Sequence, residues 1–289
     1  MANIKDLKKK IKTTKSTFKI TSAMKLVSAS KLARAQQAIT GSRPYSEELE
    51  TTIKTISALV NDYSHEYLVE NKENKRTLLL VISANKGLCG GYNSQLAKEV
   101  RTFISKTDLD VKVNFIGRKV RDLIKNDVNV GKSYVFEKGD ATFAEIQTIA
   151  NELGAQFKQG EIGRVLIAYN KFNSAISFTP TIRQVLPMSL DQSEKAALKE
   201  KFPFDFKYDP NPKDILDSLI PEAYITGMYT SLLDGVAAEH GSRMVAMDNA
   251  TSNCKDAIKT LTIKMNKLRQ AAITTELIEV VSGAESLNG

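Results

Sequence analysis

The sequence predicts an α/β protein in which a long antiparallel coiled coil of N- and C-terminal helices accompanies a Rossmann-like domain with a mainly parallel sheet. Three observations predict this fold: the placement of glycine and proline, a heptad repeat towards the C-terminus, and short apolar runs that alternate with helical segments. We therefore expect an N-terminal coiled-coil helix, an α/β domain, an irregular connection and a C-terminal coiled-coil helix, at residues 1–60, 75–190, 191–218 and 219–284 respectively.

Residues that interrupt helices are absent from long stretches near both ends of the chain. None of the 15 glycines and 7 prolines lies in residues 1–40 or 242–282. Glycine and proline are the strongest helix breakers, and 40 residues of helix span about 60 Å. Each end is therefore expected to form one helix, several times longer than the average in globular proteins.

The C-terminal stretch carries an apolar stripe with the heptad spacing of a coiled coil. Two sets of residues seven apart form the stripe: Leu233, His240, Met247, Cys254, Leu261 and Leu268, and Ala237, Met244, Thr251, Ile258, Met265 and Ala272. The N-terminal stretch begins with a similar stripe at Ile4, Leu7, Ile11 and Phe18. The stripe becomes polar at Thr14 and Thr21, and apolar residues resume at Ile20, Met24 and Val27. One amphipathic helix cannot cover its own stripe, so we expect the two to pair, antiparallel because a domain separates them. The alternative is that both pack separately on a globular body.

The middle of the chain alternates between strand and helix patterns. Three apolar runs rich in β-branched residues predict strands at Thr77–Ser83, Val111–Ile116 and Arg164–Asn170. Helical spacing lies between them, at Asn93–Ile104, Lys119–Lys125 and Phe143–Phe157. This alternation favours a mainly parallel sheet, which the run Ala175–Val185 extends as an antiparallel strand that ends before Pro187.

The net charge of the chain, and its position in the sequence, limit the kinds of partner that we expect. The chain has 41 Lys and Arg against 33 Asp and Glu, a net charge of +8 that is typical of binding to nucleic acid or another anionic surface. Ten basic residues and one acidic residue lie in the first 40, so this segment holds the whole excess. It lacks the interleaved aromatic residues of a nucleic-acid arm, and it is rich in Lys where a targeting peptide is rich in Arg. We favour a permanent helix whose charges face solvent or the acidic groups of a surrounding partner.

Two further classes are excluded by composition. The longest apolar run, Leu78–Ile82, is far shorter than the roughly 20 residues of a membrane span, so we expect membrane association only through a partner. Two cysteines, Cys89 and Cys254, are too few for a disulfide framework.

Residues 85–93, with the sequence NKGLCGGYN, form the most tempting candidate for a chemical site. A glycine-rich turn between a strand and a helix cradles phosphate in nucleotide-binding folds. Here the lysine precedes the glycines and neither phosphate-loop spacing is present, so a structural turn is favoured. Cys89 has no histidine in its predicted element, and His240 and Cys254 alone do not form a metal site. We predict no catalytic residue, no cofactor and no metal.

Four segments resemble the gamma subunit of F-type ATP synthases. They are Ile20–Gln36 (ITSAMKLVSASKLARAQ), Gly87–Asn93 (GLCGGYN), Ala238–Thr251 (AEHGSRMVAMDNAT) and Arg269–Ala284 (RQAAITTELIEVVSGA). The last includes the terminal pattern of that family, Ile-Thr-x-Glu followed by a second acid and Gly-Ala. The similarity extends from about residue 3 to the C-terminus.

The resemblance implies a rotor shaft that couples rotation of a proton-driven c-ring to ATP synthesis. The terminal helices would turn inside a ring of three alpha and three beta subunits. The α/β domain would contact the epsilon subunit (delta in mitochondria) and the c-ring. Nucleotides bind the ring in this family, and not the shaft. The resemblance also implies that the chain neither binds nucleic acid nor inserts directly into the membrane. The resemblance also implies a location on the cytoplasmic face of the bacterial inner membrane, or on the matrix face of the mitochondrial one. The start at Met1 favours the bacterial location.

Family roles are carried over at matching positions. The resemblance implies rotor–stator coupling contacts at Met24, Arg243, Arg269, Gln270, Thr274 and Glu276. It implies an apolar tip within a hydrophobic collar at Ile278, Val280 and Val281, and a foot on the c-ring at Tyr208 and Asp209. The cysteine pair of the chloroplast redox switch is absent from residues 188–220.

Two rival functions remain from the residues alone. One is a nucleotide-using α/β enzyme with a coiled-coil arm, which would bind ATP or NAD as an isolated chain. The other is a basic coiled-coil protein that binds nucleic acid in a salt-dependent manner.

Overall fold

The computed structural model describes residues 4–60, 63–69, 71, 73–136, 141–188, 192–202 and 206–288. Six α-helices, a short 3₁₀ helix and five strands form this part of the chain. Their order is α1 (Ile4–Leu59), the 3₁₀ helix (Glu66–Leu68), β1 (Arg76–Ile82), α2 (Tyr92–Lys106), β2 (Asp110–Ile116), α3 (Lys119–Ile124), β3 (Asn129–Tyr134), α4 (Phe143–Lys158), β4 (Arg164–Ser174), β5 (Ser177–Leu186), α5 (Gln192–Lys201) and α6 (Pro212–Asn288).

The five strands form one sheet in the order β3-β2-β1-β4-β5. β1 pairs in parallel with β2 and β4, β2 pairs in parallel with β3, and only β5 is antiparallel, to β4. The predicted mainly parallel sheet with an antiparallel extension is therefore confirmed. Residues Leu78–Ile82 of β1 are all buried, as expected for a central strand covered on both faces.

Helices cover both faces of the sheet. On one face, Leu79, Val81 and Phe115 pack in a cluster with residues of α2 and α3, including Leu96, Val100 and Ile124. On the other, Leu80 and Ile167 pack with α4 and with parts of the two long helices, through residues that include Leu49, Ile53, Ile149, Leu216, Ile220 and Met228. Part of each long helix thus belongs to the core of the α/β domain.

The edge strand β3 was not predicted, because its sequence, NVGKSY, has no apolar run. Hydrogen bonding defines this strand in place of apolar burial. The Asn114 side chain of β2 accepts a hydrogen bond from the backbone N–H of Lys132 at 2.8 Å. A Cβ on Gly131 would lie 2.1 Å from the same Asn114 oxygen, so this close approach requires glycine.

The predicted irregular connection at 191–218 is wrong in part, because it contains α5 and the first turns of α6. Pro212 opens α6, a position at which its missing N–H costs nothing. The Asn211 side chain accepts a hydrogen bond from the Asp214 backbone N–H at 2.9 Å and so caps the helix. Proline at this position marks the start of a helix.

The described residues form two compact units. One consists of residues 1–28 and 243–289, and the other of residues 29–242, so that α1 and α6 each contribute to both. α1 continues through Gly41 and Pro44, and α6 contains Pro221. Among the described residues, no helix combines the length and the apolar character needed to cross a membrane.

Candidate functional site

In the unit formed by residues 1–28 and 243–289, α1 and α6 pack side by side. The hydroxyl oxygens of Thr21 and Thr251 are 2.8 Å apart, and Lys25 Nζ lies 2.7 Å from Asp248 Oδ1. From Thr21 to Lys25 the chain advances four residues along α1, whereas their partners, Thr251 and Asp248, step back three residues along α6. The two helices therefore run in opposite directions. The predicted antiparallel pairing of the terminal helices is confirmed.

The contact face of α6 follows the predicted heptad. Its members after Met247 are half-buried as far as Ala272, and the residues between them are mostly exposed. On α1 the prediction that Ile20 and Val27 rejoin the stripe is wrong, because their side chains are 60% and 59% exposed. Thr21, which the sequence places on the contact face, and Ser28 are buried, and both continue the seven-residue spacing that starts at Leu7. Register with the partner helix, not side-chain hydrophobicity, selects the buried face.

The N-terminal basic residues lie on the surface of this unit. The lysines between Lys5 and Lys19 are all exposed, whereas Leu7 and Ile11 between them are buried. Lys25 forms an ion pair across the two helices with Asp248. The charge excess therefore forms an outward-facing basic surface, in agreement with a permanent helix.

α6 extends beyond the start of α1. Ile4, the first residue of α1, precedes Thr21 by 17 residues, and the antiparallel register places it level with about Leu268 of α6. From residue 273 to residue 284 every side chain is exposed, and α6 continues to Asn288. We call residues 273–288 the overhang, a single helix about 24 Å long at 1.5 Å per residue.

The predicted apolar tip lies in the overhang. Ile278, Val280 and Val281 are 60%, 69% and 62% exposed, and Leu277 is 61% exposed. Four of the five positions 277–281 thus present large apolar side chains that the described residues of this chain do not cover. Exposed apolar patches of this kind mark interaction surfaces.

Four predicted coupling residues lie at the base of the overhang, and all are exposed. Arg269 and Glu276 are seven residues apart, so they share one face, and Gln270 and Thr274 are four apart and share another. The Thr274 hydroxyl donates to the Gln270 backbone carbonyl at 3.0 Å. The side chains of Arg269, Gln270 and Glu276 therefore remain at the surface of α6.

The structure does not bring Met24 and Arg243 together. The register places Met24 level with Asp248 and Asn249, five to six residues beyond Arg243 on α6, or about 8 Å along the axis. Met24 is half-buried, whereas Arg243 is 7% exposed. Of the predicted coupling residues, Arg243 is therefore the one whose side chain is least accessible in the free chain.

In the unit formed by residues 29–242, the glycine-rich turn after β1 contacts α6. Ser242 Oγ donates to the Cys89 backbone carbonyl at 2.6 Å, and Tyr92 Oη donates to the Gly235 carbonyl at 3.0 Å. Asn170 of β4 donates to the Tyr92 carbonyl at 3.1 Å. The sequence predicted a structural turn here but not its contacts with α6. We call this contact between the turn (residues 85–93) and α6 the joint.

Two glycines of α6 allow the sheet to approach the helix closely. A Cβ on Gly241 would lie 2.8 Å from the Ala175 carbonyl oxygen, and one on Gly235 would lie 3.1 Å from Ile82 Cγ2. Glycine inside a helix costs about 1 kcal/mol relative to alanine, and this close approach gives the physical reason for it. The glycine residues and the turn together hold α6 against one end of the sheet.

A charged contact joins α1 and α6 within the same unit. Arg43 Nη2 lies 2.6 Å from Asp234 Oδ1, a carboxylate that is 4% exposed. Burial raises the pKa of Asp234 above its ordinary value, and the Arg43 guanidinium opposes this rise without cancelling it. Ser42 and Thr230 add a hydroxyl contact of 3.1 Å.

The predicted foot residues precede α6. Tyr208 is half-buried against the core, with its ring edge-on to Phe206 at 6.4 Å between centroids, and Asp209 is exposed. The aromatic ring therefore anchors this segment and leaves the Asp209 carboxylate at the surface.

Among the residues that the structure describes, no three or more His, Cys, Asp or Glu side chains form a group that could hold a metal ion. Cys89 is buried and accepts a hydrogen bond from Asn93 Nδ2 at 3.1 Å. The sulfur is thus held within the turn.

Comparison with known proteins adds family relationships to this geometry. A family model described as ATP synthase matches residues 3–287. The chain is 39% identical to the ATP synthase gamma chain of Roseobacter denitrificans, over 99% of this chain and 100% of that one. It is 37% identical to the ATP synthase gamma chain of Christiangramia forsetii, over the full length of both.

Solved structures show the same fold. A chain of the Euglena gracilis mitochondrial ATP synthase superposes with a TM-score of 0.69 at 20% identity, covering 98% of this chain and 94% of that one. A chain of the central stalk and c-ring of the Tetrahymena thermophila mitochondrial ATP synthase superposes with a TM-score of 0.58 at 23% identity, covering 80% and 99%.

Proposed function

Because the chain belongs to the ATP synthase family, among its gamma chains, we propose that it is the central rotor shaft of a proton-translocating F-type ATP synthase. The observation that carries this proposal is the overhang of α6. α6 extends beyond the end of its partner helix and exposes four large apolar side chains there. An apolar collar around the end of α6 would bury these side chains.

The paired helices transmit torque in this proposal. A shaft must hold its two helices in register while its outer surface makes contacts that break at every step. The contact face between α1 and α6 includes Leu7, Ile11 and the contact of Thr21 with Thr251, which keep the helices in register. The outer surface carries exposed lysines. Exposed ion pairs contribute only about 0–1 kcal/mol each, so they do not trap the rotor at one angle.

The residues at the base of the overhang act as coupling contacts to the surrounding alpha and beta subunits, three of each. Arg269 and Gln270 offer a guanidinium fork and an amide that bind carboxylates and carbonyls. Thr274 and Glu276 lie one to two turns further along. Met24 and Arg243 serve lower on the shaft, where the burial of Arg243 suits a role in holding the shaft surface in shape.

The joint between the turn and α6 couples the sheet to the shaft. The α/β domain contacts the epsilon subunit (delta in mitochondria) and the c-ring, the latter through Tyr208 and Asp209. The joint carries force from the sheet into α6 through Ser242, Gly235 and Gly241. The chain binds peripherally, on the cytoplasmic face of the bacterial inner membrane or the matrix face of the mitochondrial one, and it supplies no catalytic residue or cofactor.

A single substitution tests the role of the tip. Ile278→Asp places a charge on the overhang, where we expect loss of ring assembly or of ATP-driven rotation with the chain still folded. Ile176→Asp is the matched control, because Ile176 is 81% exposed in the turn between β4 and β5. Normal assembly and rotation of Ile278→Asp would contradict the proposal.

The subunit composition tests the function as a whole. Affinity purification of the full chain from its own cells should yield a complex with one copy of this chain and three each of the alpha and beta chains. Recovery of the chain without them, together with micromolar binding of ATP or NAD, would favour the enzyme alternative. The contacts of Cys89 and Tyr92 with α6 leave that turn occupied, so no specific observation favours this alternative.

A further inference from the structure

A cavity of about 400 Å³ lies in the unit formed by residues 29–242. Its walls come from the last part of α1, from β5, from residues around the 3₁₀ helix and from α6. Small-molecule sites have volumes of about 300–1,000 Å³. The cavity therefore has room for a ligand considerably larger than one or two waters.

Positive charge dominates this cavity. Arg183, Lys54 and Lys195 line it, and Glu50 is the only acidic residue among its lining residues in the described part of the chain. Lys54 and Glu50 offset each other, because Lys54 Nζ lies 3.2 Å from Glu50 Oε1. Arg183 and Lys195 remain as an excess of two positive charges.

Arg183 is held in the wall with part of its hydrogen-bonding capacity unused. Nη2 donates to the Gly227 carbonyl at 2.8 Å. Nε is buried and has no acceptor among the described residues, and no carboxylate of those residues lies within 4 Å of the guanidinium. The residue as a whole is half-buried, but a buried N–H group requires a hydrogen-bond acceptor.

Ser57 gives a second unsatisfied polar group in the same cavity. Its Oγ is buried and has no partner in the part of the chain that the structure describes. A hydroxyl donor and a guanidinium donor lining one cavity match a carboxylate or phosphate group, which accepts from both.

The lining also includes apolar side chains, among them Ile53, Leu68, Val185 and Ala223. An inorganic anion would leave this surface in contact with water. An anion with an apolar body would cover it, with a gain proportional to the apolar area removed from solvent.

We propose that this cavity binds a small amphipathic anion, with its carboxylate or phosphate on Arg183 and Ser57 and its apolar body against α1 and β5. A free fatty acid and a phosphate-bearing lipid fragment share this chemistry. Their head groups separate them in the experiment below. The site is distinct from the overhang and from the joint, so its failure would leave the shaft function intact.

Isothermal titration calorimetry on the purified full-length chain tests the proposal. The probes are octanoate, octyl phosphate, octanol and inorganic phosphate. We expect saturable binding of octanoate or octyl phosphate, and the stronger of the two identifies the head group. Octanol lacks the charge and inorganic phosphate lacks the apolar body, so both should bind at least tenfold more weakly.

Two variants separate this site from adventitious binding. Arg183→Gln removes the cation, and Ser57→Leu fills the cavity with a residue of higher helix propensity, so that the second variant remains informative if the first unfolds. Each should weaken binding at least tenfold, whereas the exposed Arg118→Gln should not change it. Absence of saturable binding, equal binding of octanol, or unchanged binding in the folded variants would overturn the proposal and leave a cavity filled with water.

Discussion

Thr21 and Thr251, 230 residues apart in sequence, bring their hydroxyl oxygens to within 2.8 Å at the seam between α1 and α6. Thr21 Oγ1 also lies 3.1 Å from the Phe18 carbonyl, and Thr251 Oγ1 lies 2.6 Å from the Met247 carbonyl. Two hydroxyl protons thus serve three short contacts. The pair fixes the register of the helices through polar groups at a position where leucine is usual in a coiled coil.

We expect Thr21→Val and Thr251→Val to be coupled. Each single substitution leaves one hydroxyl facing a methyl group in the seam, whereas the double substitution replaces both partners with groups of the same shape. The double variant should therefore lose less unfolding free energy than the sum of the singles, by about 1 kcal/mol. A double-mutant cycle by urea unfolding measures this difference, and strict additivity would show that the contact contributes nothing.

Asp234→Asn should change how stability depends on pH. Because the pKa of Asp234 in the folded chain is raised above its ordinary value of 3.8, the folded state holds this proton more tightly than the unfolded state. Its contribution to stability is fully present below pH 3.8 and is lost as pH rises through the folded pKa. The unfolding free energy of the unchanged chain minus that of the variant should fall as the pH rises from about 4 to 7.

Denaturant titrations at several pH values provide this comparison. Asparagine keeps a carbonyl oxygen for Arg43, so the variant retains a hydrogen-bond acceptor. A difference that rises over the same range would mean that the ion pair with Arg43 outweighs burial and lowers the pKa instead.

Gly241→Ala should destabilise the joint between the sheet and α6. The added Cβ would meet the Ala175 carbonyl oxygen at 2.8 Å, and backbone atoms cannot move aside as a flexible side chain can. We expect a loss of about 1–3 kcal/mol in thermal or urea unfolding.

Gly41→Ala is the matched control, because Gly41 is also helical and a Cβ there meets nothing within 4 Å. It should stabilise the chain by about 0.5–1 kcal/mol. Equal effects at the two positions would mean that Gly241 is not needed for close packing.

The double substitution Arg269→Ala and Gln270→Ala should reduce ATP synthesis by the assembled enzyme about tenfold, which corresponds to about 1.4 kcal/mol of lost interaction. Both side chains are exposed, so the stability of the chain should change by less than about 0.5 kcal/mol. Asn266→Ala with Lys267→Ala removes the same kinds of group from a neighbouring exposed pair and should have a much smaller effect. Normal synthesis in the first variant would remove Arg269 and Gln270 from the set of coupling contacts.

Much of the fold follows from apolar patterning, because buried strands and heptads leave strong periodic signals. The central strands and the α6 stripe were predicted for this reason. β3 was not, since an edge strand held by the Asn114 side chain needs no apolar run. α5 was not predicted, because its sequence, QSEKAALKEK, is mostly polar and has no apolar stripe.

The candidate site was predictable only in part. Exposure of Ile278 depends on where α1 begins relative to α6, which is a property of the pairing and not of residues 273–288. Likewise, the exposure of Ile20 and Val27 depends on the partner helix. The contacts of the Cys89 turn with Gly235 and Ser242 join segments about 150 residues apart, and no local pattern encodes them.

The pairing of the two chain ends also sets an order on biosynthesis. Thr21 leaves the ribosome 230 residues before Thr251, and at about 5–20 residues per second the delay is roughly 10–50 s. During that interval the sheet, which ends at Leu186, can close, while Leu7 and Ile11 have no partner to cover them. The contact between the two helices can therefore form only near the end of translation, after all residues of the sheet have been synthesised.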